Sequence, residues 1–421
     1  MKQKALILVF FLIGNCFLFG QDQFIYKINI QGQKKTKTSF IIKILESKEG
    51  QSIDSSKLNR DIIRLKRLPA ISNATYQVFL SKDRLIHVNF NIEENLTIIP
   101  GINIWTTSDR EVAYKIGLYD FNLLGRNITF GGFYQNNGFN SYAINLKAPY
   151  LFTNKLGVAI NHQDWKSKEP LYFEEGVANY KYNNISFEVL GLFEYDFRNS
   201  FQIGVNIFNE KYEFLSGEIS DLIPQELDIN KVLFKLVYTY DNLDYYYQYI
   251  EGFKSEFYGQ FVTSKHPSQN DFLVAWNDFF YFKRIKKKGI FANRLRIGLA
   301  SNEEGPFAPF ALDNNINIRG VGFLVDRGTG SIVLNSEYRY TLFEKKWFVL
   351  QSNVFIDAGT WRNPGGNFND FVNTENIRIN SGLGLRFIHK KIYNAVFRLD
   401  YGYGLTNNNP NGFVFGVGQY F

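Results

Sequence analysis

Cysteine is almost missing from this 421-residue chain: the only one, Cys16, lies in an apolar N-terminal run, so a chain cleaved near Gly20 has none. That excludes disulfides, thiolate chemistry and Cys-based metal sites. Histidine is nearly as scarce. His87, His162, His266 and His389 are scattered without ligand spacing, and no Gly-rich loop sits between a strand and a helix as phosphate binding requires. No metal, cofactor or catalytic residue is therefore expected. Beyond Gly20, no apolar run approaches the roughly 20 residues of a membrane-spanning helix.

What is present begins with an address. Lys2 and Lys4 precede an apolar run from Ala5 to Phe19, and Gly20-Gln21-Asp22 follows as a small residue before a polar stretch. This is the layout of a secretory signal peptide over residues 1–20. A retained anchor helix is the alternative, disfavoured by the short run. A lipoprotein reading of Cys16 is disfavoured by Asn15 before it and by Phe17-Leu18-Phe19 continuing the run behind it. Residues 22–98 hold 13 Lys and Arg against 8 Asp and Glu, whereas from 99 onward the charges cancel. That basic N-terminal excess suits anionic lipid or acidic partners, or is simply a solvated face. Nucleic acid is not expected as the partner of a secreted chain.

Aromatic residues reach 17%, with 42 Phe and 26 Tyr, in a chain that has no membrane helix. The remaining membrane architecture is a closed β-barrel, because lipid cannot satisfy an open sheet edge. Composition alone leaves a large soluble β-protein open. Residues 22–97 read separately as a small β-α-α-β-β unit. Phe24, Tyr26, Ile28 and Ile30 alternate with polar or opposite-face residues as a strand, and Gly32 follows as a turn. Thr36 or Thr38 is placed to cap a helix bearing Phe40, Ile41, Ile44 and Leu45, ended by Glu49-Gly50. Asp54 or Ser55 starts a second helix with Leu58, Ile62 and Leu65 on one face, stopped at Leu68-Pro69. Strands Ala74 to Leu80 and Leu85 to Ile92 complete the unit.

From 98 to 421 the texture changes to strands of roughly ten residues separated by turn clusters, as in transmembrane barrels. Sixteen candidate strands can be placed, an even number as single-chain barrels require. The reading is thus mainly β: a 16-stranded antiparallel transmembrane β-barrel behind one small α/β domain. Leu334, Tyr338 and Tyr340 interleave with Asn335, Glu337 and Arg339, and Leu399, Tyr401 and Tyr403 with Arg398, Asp400 and Gly402. The aromatic face is most economically lipid-facing and the charged face lumenal.

One connection, about residues 302–330, breaks the rhythm and is long enough to suggest a functional plug loop. Near its middle stand Ile318, Arg319 and Gly320. Glycine permits a tight bend, and the planar guanidinium fork suits a carboxylate. Asp357 offers one, on the same strand face as Phe355 and Gly359. The expected picture is a loop pinned by Arg319 to Asp357 with the guanidinium stacked on Phe355. Spacing alone leaves a solvated Arg319 equally open. At the C-terminus Phe413, Phe415, Val417 and Phe421 fall on one face, with Gly416 and Gly418 on the other.

Two resemblances then bear on the choice. Gly32, Thr36, Phe40-Ile41, Gly50, Leu65, Leu68-Pro69 and Glu93-Glu94 resemble a polypeptide-transport-associated (POTRA) domain. Ile318-Arg319-Gly320, Phe355-Ile356-Asp357-Ala358-Gly359, Gly330 with Asn335-x-Glu337-x-Arg339, Gly382-Leu383-Gly384-Leu385-Arg386 and Asp120-Phe121-Asn122-Leu123-Leu124-Gly125-Arg126 look like the BamA/TamA superfamily of outer-membrane assembly and translocation barrels. That resemblance implies a periplasmic N-terminal domain that receives clients along a sheet edge, here the strand Ala74 to Leu80. It implies a loop tip of Ile318, Arg319 and Gly320 docked on a wall of Phe355, Asp357 and Gly359. It further implies a C-terminal strand signal and working seam carried by Phe415, Gly416, Gly418 and Phe421, against a first strand near Ile98. Val321 departs from the aromatic that commonly follows the Arg-Gly pair, with Phe323 as the substitute. The implied partners are unfolded outer-membrane or secreted proteins and outer-membrane lipids, with room for accessory lipoproteins. The competing reading is a gated outer-membrane channel or dedicated secretion pore whose loop is simply a plug.

Overall fold

The computed structural model describes residues 23–421 apart from 107–111, 174–175, 220–223, 267–269, 303–307, 313–316, 323–325 and 408. The signal-like segment and Phe323 lie outside the described residues. The N-terminal unit runs β1 (Ile25–Gln31), α1 (Thr38–Ile44), α2 (Ser55–Lys66), β2 (Ile71–Leu80) and β3 (Ile86–Glu94). β3 lies between β1, to which it is parallel, and β2, to which it is antiparallel, so β2 is a sheet edge. Ile41, Leu58, Leu65, Val88 and Phe90 are buried between sheet and helices.

Asp54 caps α2, accepting from the main-chain N–H of Ser56 at 2.8 Å and of Lys57 at 3.3 Å. α1 differs from expectation. Its N-cap is Lys37 with no side-chain cap, and it ends at Ile44. Neither threonine caps it, because Thr36 is used elsewhere: its N–H donates to Glu94 and its hydroxyl accepts from Asn122.

Sixteen strands then form one antiparallel sheet: β4 (Ile98–Thr106), β5 (Val112–Leu123), β6 (Ile128–Asn136), β7 (Asn140–Ala148), β8 (Leu156–Phe173), β9 (Gly176–Glu194), β10 (Asn199–Gly217), β11 (Glu226–Tyr246), β12 (Tyr249–Ser264), β13 (Phe272–Ile285), β14 (Gly289–Ala300), then, after the hairpin β15 (Phe310–Leu312) and β16 (Asp326–Gly328), β17 (Gly330–Glu344), β18 (Phe348–Arg362), β19 (Ile377–His389), β20 (Val396–Gly404) and β21 (Gly412–Val417). β15 and β16 pair only with each other, inside the long loop. β8 to β11 are 18 to 21 residues long, well beyond the expected ten. Their ladders remain hydrogen-bonded throughout, and the far ends carry ion pairs such as Lys181–Glu213 at 2.8 Å. A sheet extends past a bilayer wherever pairing and water-compatible side chains permit.

The barrel is polar inside and apolar outside. On β17, Asn335, Glu337 and Arg339 are 0–1% exposed, whereas Leu334, Tyr338 and Tyr340 are 38–44% exposed. Apolar outside and polar inside is the pattern of transmembrane barrels. The sheet order begins at β21 and finishes at β4, and among the described residues no ladder joins those two strands. The chain approaching β4 instead touches the β19–β20 turn, where Leu96 donates to Lys391 O at 2.8 Å and accepts from Tyr393 N at 3.1 Å.

The small domain sits against one end of the barrel. Arg67 donates to Phe197 O and Asp241 O, both at 2.9 Å, and its guanidinium lies 4.6 Å from the Phe197 ring centre. Arg64 pairs with Glu194 at 2.6 Å. Opposite, Lys35 pairs with Asp120 at 2.9 Å, and Lys37 N donates to Gly125 O. Gly125 has φ +67°, and a Cβ there would strike Lys35 O. The Asp120 to Arg126 motif is thus the joint between domain and barrel. Tyr247 completes it, donating to Glu93 at 3.0 Å, and burial together with that carboxylate pushes its hydroxyl pKa up to about 12. Because two arginines carry one side of the joint, Arg64→Ala/Arg67→Ala should loosen the domain without unfolding the barrel. Spin labels at Lys82→Cys and Lys346→Cys should then report a broadened distance distribution while the barrel keeps its heat-modifiable gel mobility.

Candidate functional site

The loop between β14 and β17 enters the barrel and presents Arg319 to its wall. Gly320, at φ +98°, makes the bend, and a Cβ there would lie 2.7 Å from Gly402 O. Gly402 on β20 permits the same approach from the wall side, since a Cβ on it would strike Arg319 O. Ile318 is fully buried beside Leu312, Val333 and Trp361. A Cβ on Gly359 would lie 2.7 Å from Ile318 Cδ1, so the missing side chain is the space Ile318 fills. Val321 is buried in the same cluster.

Arg319 is 0% exposed. Its Nε and Nη2 donate to the two oxygens of Asp357 at 2.8 and 2.9 Å, and its main-chain N–H adds a third bond at 3.0 Å. Nη1 donates to Glu337 at 2.6 Å. The guanidinium carbon lies 3.6 Å from the Phe355 ring centre and 4.4 Å from that of Tyr420. Asn335 donates to Asp357 at 2.9 Å and to Asn317 O at 2.7 Å, which holds the carboxylate and the loop together.

Around this pair lies a network that sequence spacing did not assemble. Glu337 also accepts from Arg339, and Arg386 donates to Asp400 at 2.7 Å while standing 3.6 Å from Glu337. Arg319, Arg339 and Arg386 are thus interleaved with Asp357, Glu337 and Asp400, three cations with three carboxylates, and Arg398 stands at their edge, its guanidinium 4.7 Å from the Tyr420 ring centre. A buried ionic cluster is tolerable only with such matching. The long-range signal for these partners was inward parity on β17, β19 and β20. Which strands face one another across a bent loop is not readable from spacing.

A second clamp holds the loop's return limb. Arg327 pairs with Glu169 on β8 at 2.8 Å, and Asp326 with Arg378 on β19 at 3.1 Å. The loop therefore spans the lumen between two walls.

The C-terminal residues depart from expectation. Phe415 points outward and is 72% exposed, and Gly416 faces inward, where a Cβ would strike Arg398 Nε. But β21 ends at Val417, and Gly418 at φ +91° turns the chain into the lumen. Tyr420 stacks on Arg319, and Phe421 packs beside Phe282 and Ile290 with its main-chain oxygen accepting from Arg339 at 3.0 Å. Phe421 is therefore not on the outward face with Phe413, Phe415 and Val417. Strand alternation does not extend through a glycine in the left-handed region.

Residues 24–95 match the family model described as POTRA, surface antigen variable number repeat. Over nearly the whole chain the fold is similar to BamA from Haemophilus ducreyi lacking POTRA domains 1–3, with TM-score 0.56 and 16% identity, covering 95% of this chain and 85% of that one. It is also similar to CdiB from Acinetobacter baumannii, with TM-score 0.58 and 12% identity over 94% and 73% of the two chains. CdiB from Escherichia coli gives TM-score 0.60 and 10% identity over 94% and 75%. The fold is that of the BamA and CdiB barrels. It carries one POTRA-like domain.

Arg319→Ala would leave buried carboxylates without their cation, a loss on the order of 3–5 kcal/mol for a buried pair. The expected result is a loop 302–330 open to limited proteolysis in an otherwise folded barrel, with Arg319→Lys failing to restore protection because one ammonium cannot replace the fork. Gly402→Ala should expose the loop in the same way without altering any charge.

Proposed function

We propose that this protein is an outer-membrane insertase or translocase for unfolded outer-membrane or secreted proteins, with its POTRA-like domain in the periplasm. The observation that carries the reading is the interrupted sheet: β4 and β21 are its two ends, and no ladder joins them among the described residues. An unpaired strand edge is a template for another chain. In this reading a client segment first adds to the β2 edge and is then passed to the seam, where its own strand pairing and lipid burial supply the driving force. No catalytic step is needed. The last strand is tied to the docked loop through Tyr420 on Arg319, so the state of the seam and the state of the loop are coupled.

The pore reading has one observation in its favour, the loop clamped across the lumen by Arg327 and Arg378. The two readings separate on Arg319→Ala. An insertase should lose client assembly, whereas a plugged channel should mainly gain conductance with its clients intact.

Depletion followed by quantitative proteomics of the outer membrane and the medium tests the proposal. Loss of several barrels, with unfolded forms accumulating in the periplasm, is the outcome expected of an insertase. Loss of one secreted or surface protein alone makes the protein a dedicated translocator. An unchanged proteome in cells whose membrane conductance falls would overturn both in favour of the channel.

A further inference from the structure

The zero net charge of residues 99–421 conceals a segregation. The β13–β14 turn and its flanks read Lys283-Arg284-Ile285-Lys286-Lys287-Lys288, the β17–β18 turn holds Lys345 and Lys346, and the β19–β20 turn holds Lys390 and Lys391. These turns are consecutive around the barrel, because β13, β14, β17, β18, β19 and β20 are neighbours in the sheet. The one acid among them is Glu344, and it pairs with Lys390. The remaining turns at this end are not basic in the same way: Arg126, Lys155 and Arg198 are spread over three of them, with Asp196 beside Arg198.

The POTRA-like domain docks on the β5–β6, β7–β8, β9–β10 and β11–β12 turns and touches the β19–β20 turn through Leu96. The β13–β14 and β17–β18 turns are left to solvent, and Lys283, Lys286, Lys287, Lys345 and Lys346 are exposed. Among the described residues no carboxylate pairs with any of these five. Lys286 adopts φ +53°, where glycine or asparagine is cheaper, so the turn carries a lysine against its backbone preference.

Three of the five cations stand beside an outward aromatic. Lys283 is two residues from Tyr281, Lys345 lies over Phe343 with Nζ 5.5 Å from the ring centre, and Lys346 adjoins Trp347. Tyr281, Phe343 and Trp347 are 46%, 46% and 51% exposed. Aromatics of this kind mark the headgroup level of a bilayer, which places the ammonium groups at the depth of lipid phosphates.

We infer that the β13–β14 and β17–β18 turns form a binding surface for anionic glycerophospholipids of the periplasmic leaflet. The surface orients the barrel rim on that leaflet and concentrates anionic lipid on the arc that the POTRA-like domain leaves open. An acidic protein segment would meet the same charge but would not require the aromatic row beneath it. The inference needs the barrel to lie in a membrane but is independent of whether the barrel inserts or translocates clients, so either can fail alone.

The test uses the purified full chain in nanodiscs of phosphatidylethanolamine with a minority of phosphatidylglycerol, reading by native mass spectrometry the lipids that leave with the protein. Phosphatidylglycerol should be enriched over the bulk. In K286Q/K287Q/K345Q/K346Q that enrichment should fall by about five-fold or more, the factor that even one effective lysine contributes at an anionic surface. The arginine counterparts at the same four positions should keep it, as should neutralising Lys27, Lys34, Lys82 and Arg84 in the small domain. Inorganic phosphate should not displace the lipid. Enrichment unchanged in the glutamine variant, equal loss in the small-domain variant, displacement by phosphate, or loss only of crosslinks to an acidic periplasmic protein would each overturn the inference.

Discussion

A guanidinium removed from water is the constraint around which the barrel interior is organised. Arg319 is fully buried, and an isolated charge there would be intolerable. Its cost is offset by a bidentate carboxylate, a second carboxylate and two aromatic faces, which come from β17, β18 and the residues after β21. Each of those partners needs its own support. Asp357 takes Asn335, Glu337 takes Arg339, and Arg386 returns to Asp400, until each carboxylate has a cation beside it. The polar lumen of this sector is thus one connected network, and its absent side chains matter as much as those present. Gly359 and Gly402 are where the loop tip comes close enough for the arginine to reach.

Much of this was legible in the chain. Period-two alternation assigned inward and outward faces on β17, β18 and β20, and it left the pairing of Arg319 with Asp357 and Phe355 and a solvated Arg319 equally open until the BamA/TamA resemblance favoured the pairing. The partners Glu337 and Asp400 were inward on the same reasoning, but parity gives a direction and not a distance. Phe421 was misplaced because alternation was carried past Gly418, where positive φ reverses the chain. Thr36 and Thr38 were the alternative helix caps, and Thr36 does not act as one because Asn122 of the barrel and Glu94 take it. That competition is tertiary and has no trace in local sequence. The long hairpins of β8 to β11 escaped for a related reason: a strand ends where pairing ends, and pairing is a property of two segments.

Net charge behaves likewise. The charges from residue 99 onward sum to zero, yet lysines unpaired among the described residues gather on one arc of turns, while carboxylates within the lumen and at the far hairpin ends are paired with other cations. A total cannot show this, because a barrel sends successive residues to opposite sides and successive turns to opposite ends. Once topology sorts the residues, the same composition describes an oriented object.

The buried network also weighs on how the loop can work. A mobile plug must leave its seat readily, and leaving this seat means separating Arg319 from Asp357 and Glu337 in a space closed to water. The return limb is held as well, by Arg327 on one wall and Arg378 on the other. The seam is held by less: among the described residues no ladder joins β4 to β21, the turn inward at Gly418 already shortens the last strand, and what ties that strand to the network is the stack of Tyr420 on Arg319 and the hydrogen bond from Arg339 to Phe421 O. In the proposed reading the least costly large motion is therefore at the edge of the sheet, with the docked loop serving as a strut that keeps the remaining strands in register while that edge is exchanged. A loop built in this way favours a barrel that works through its wall over one that works through its bore.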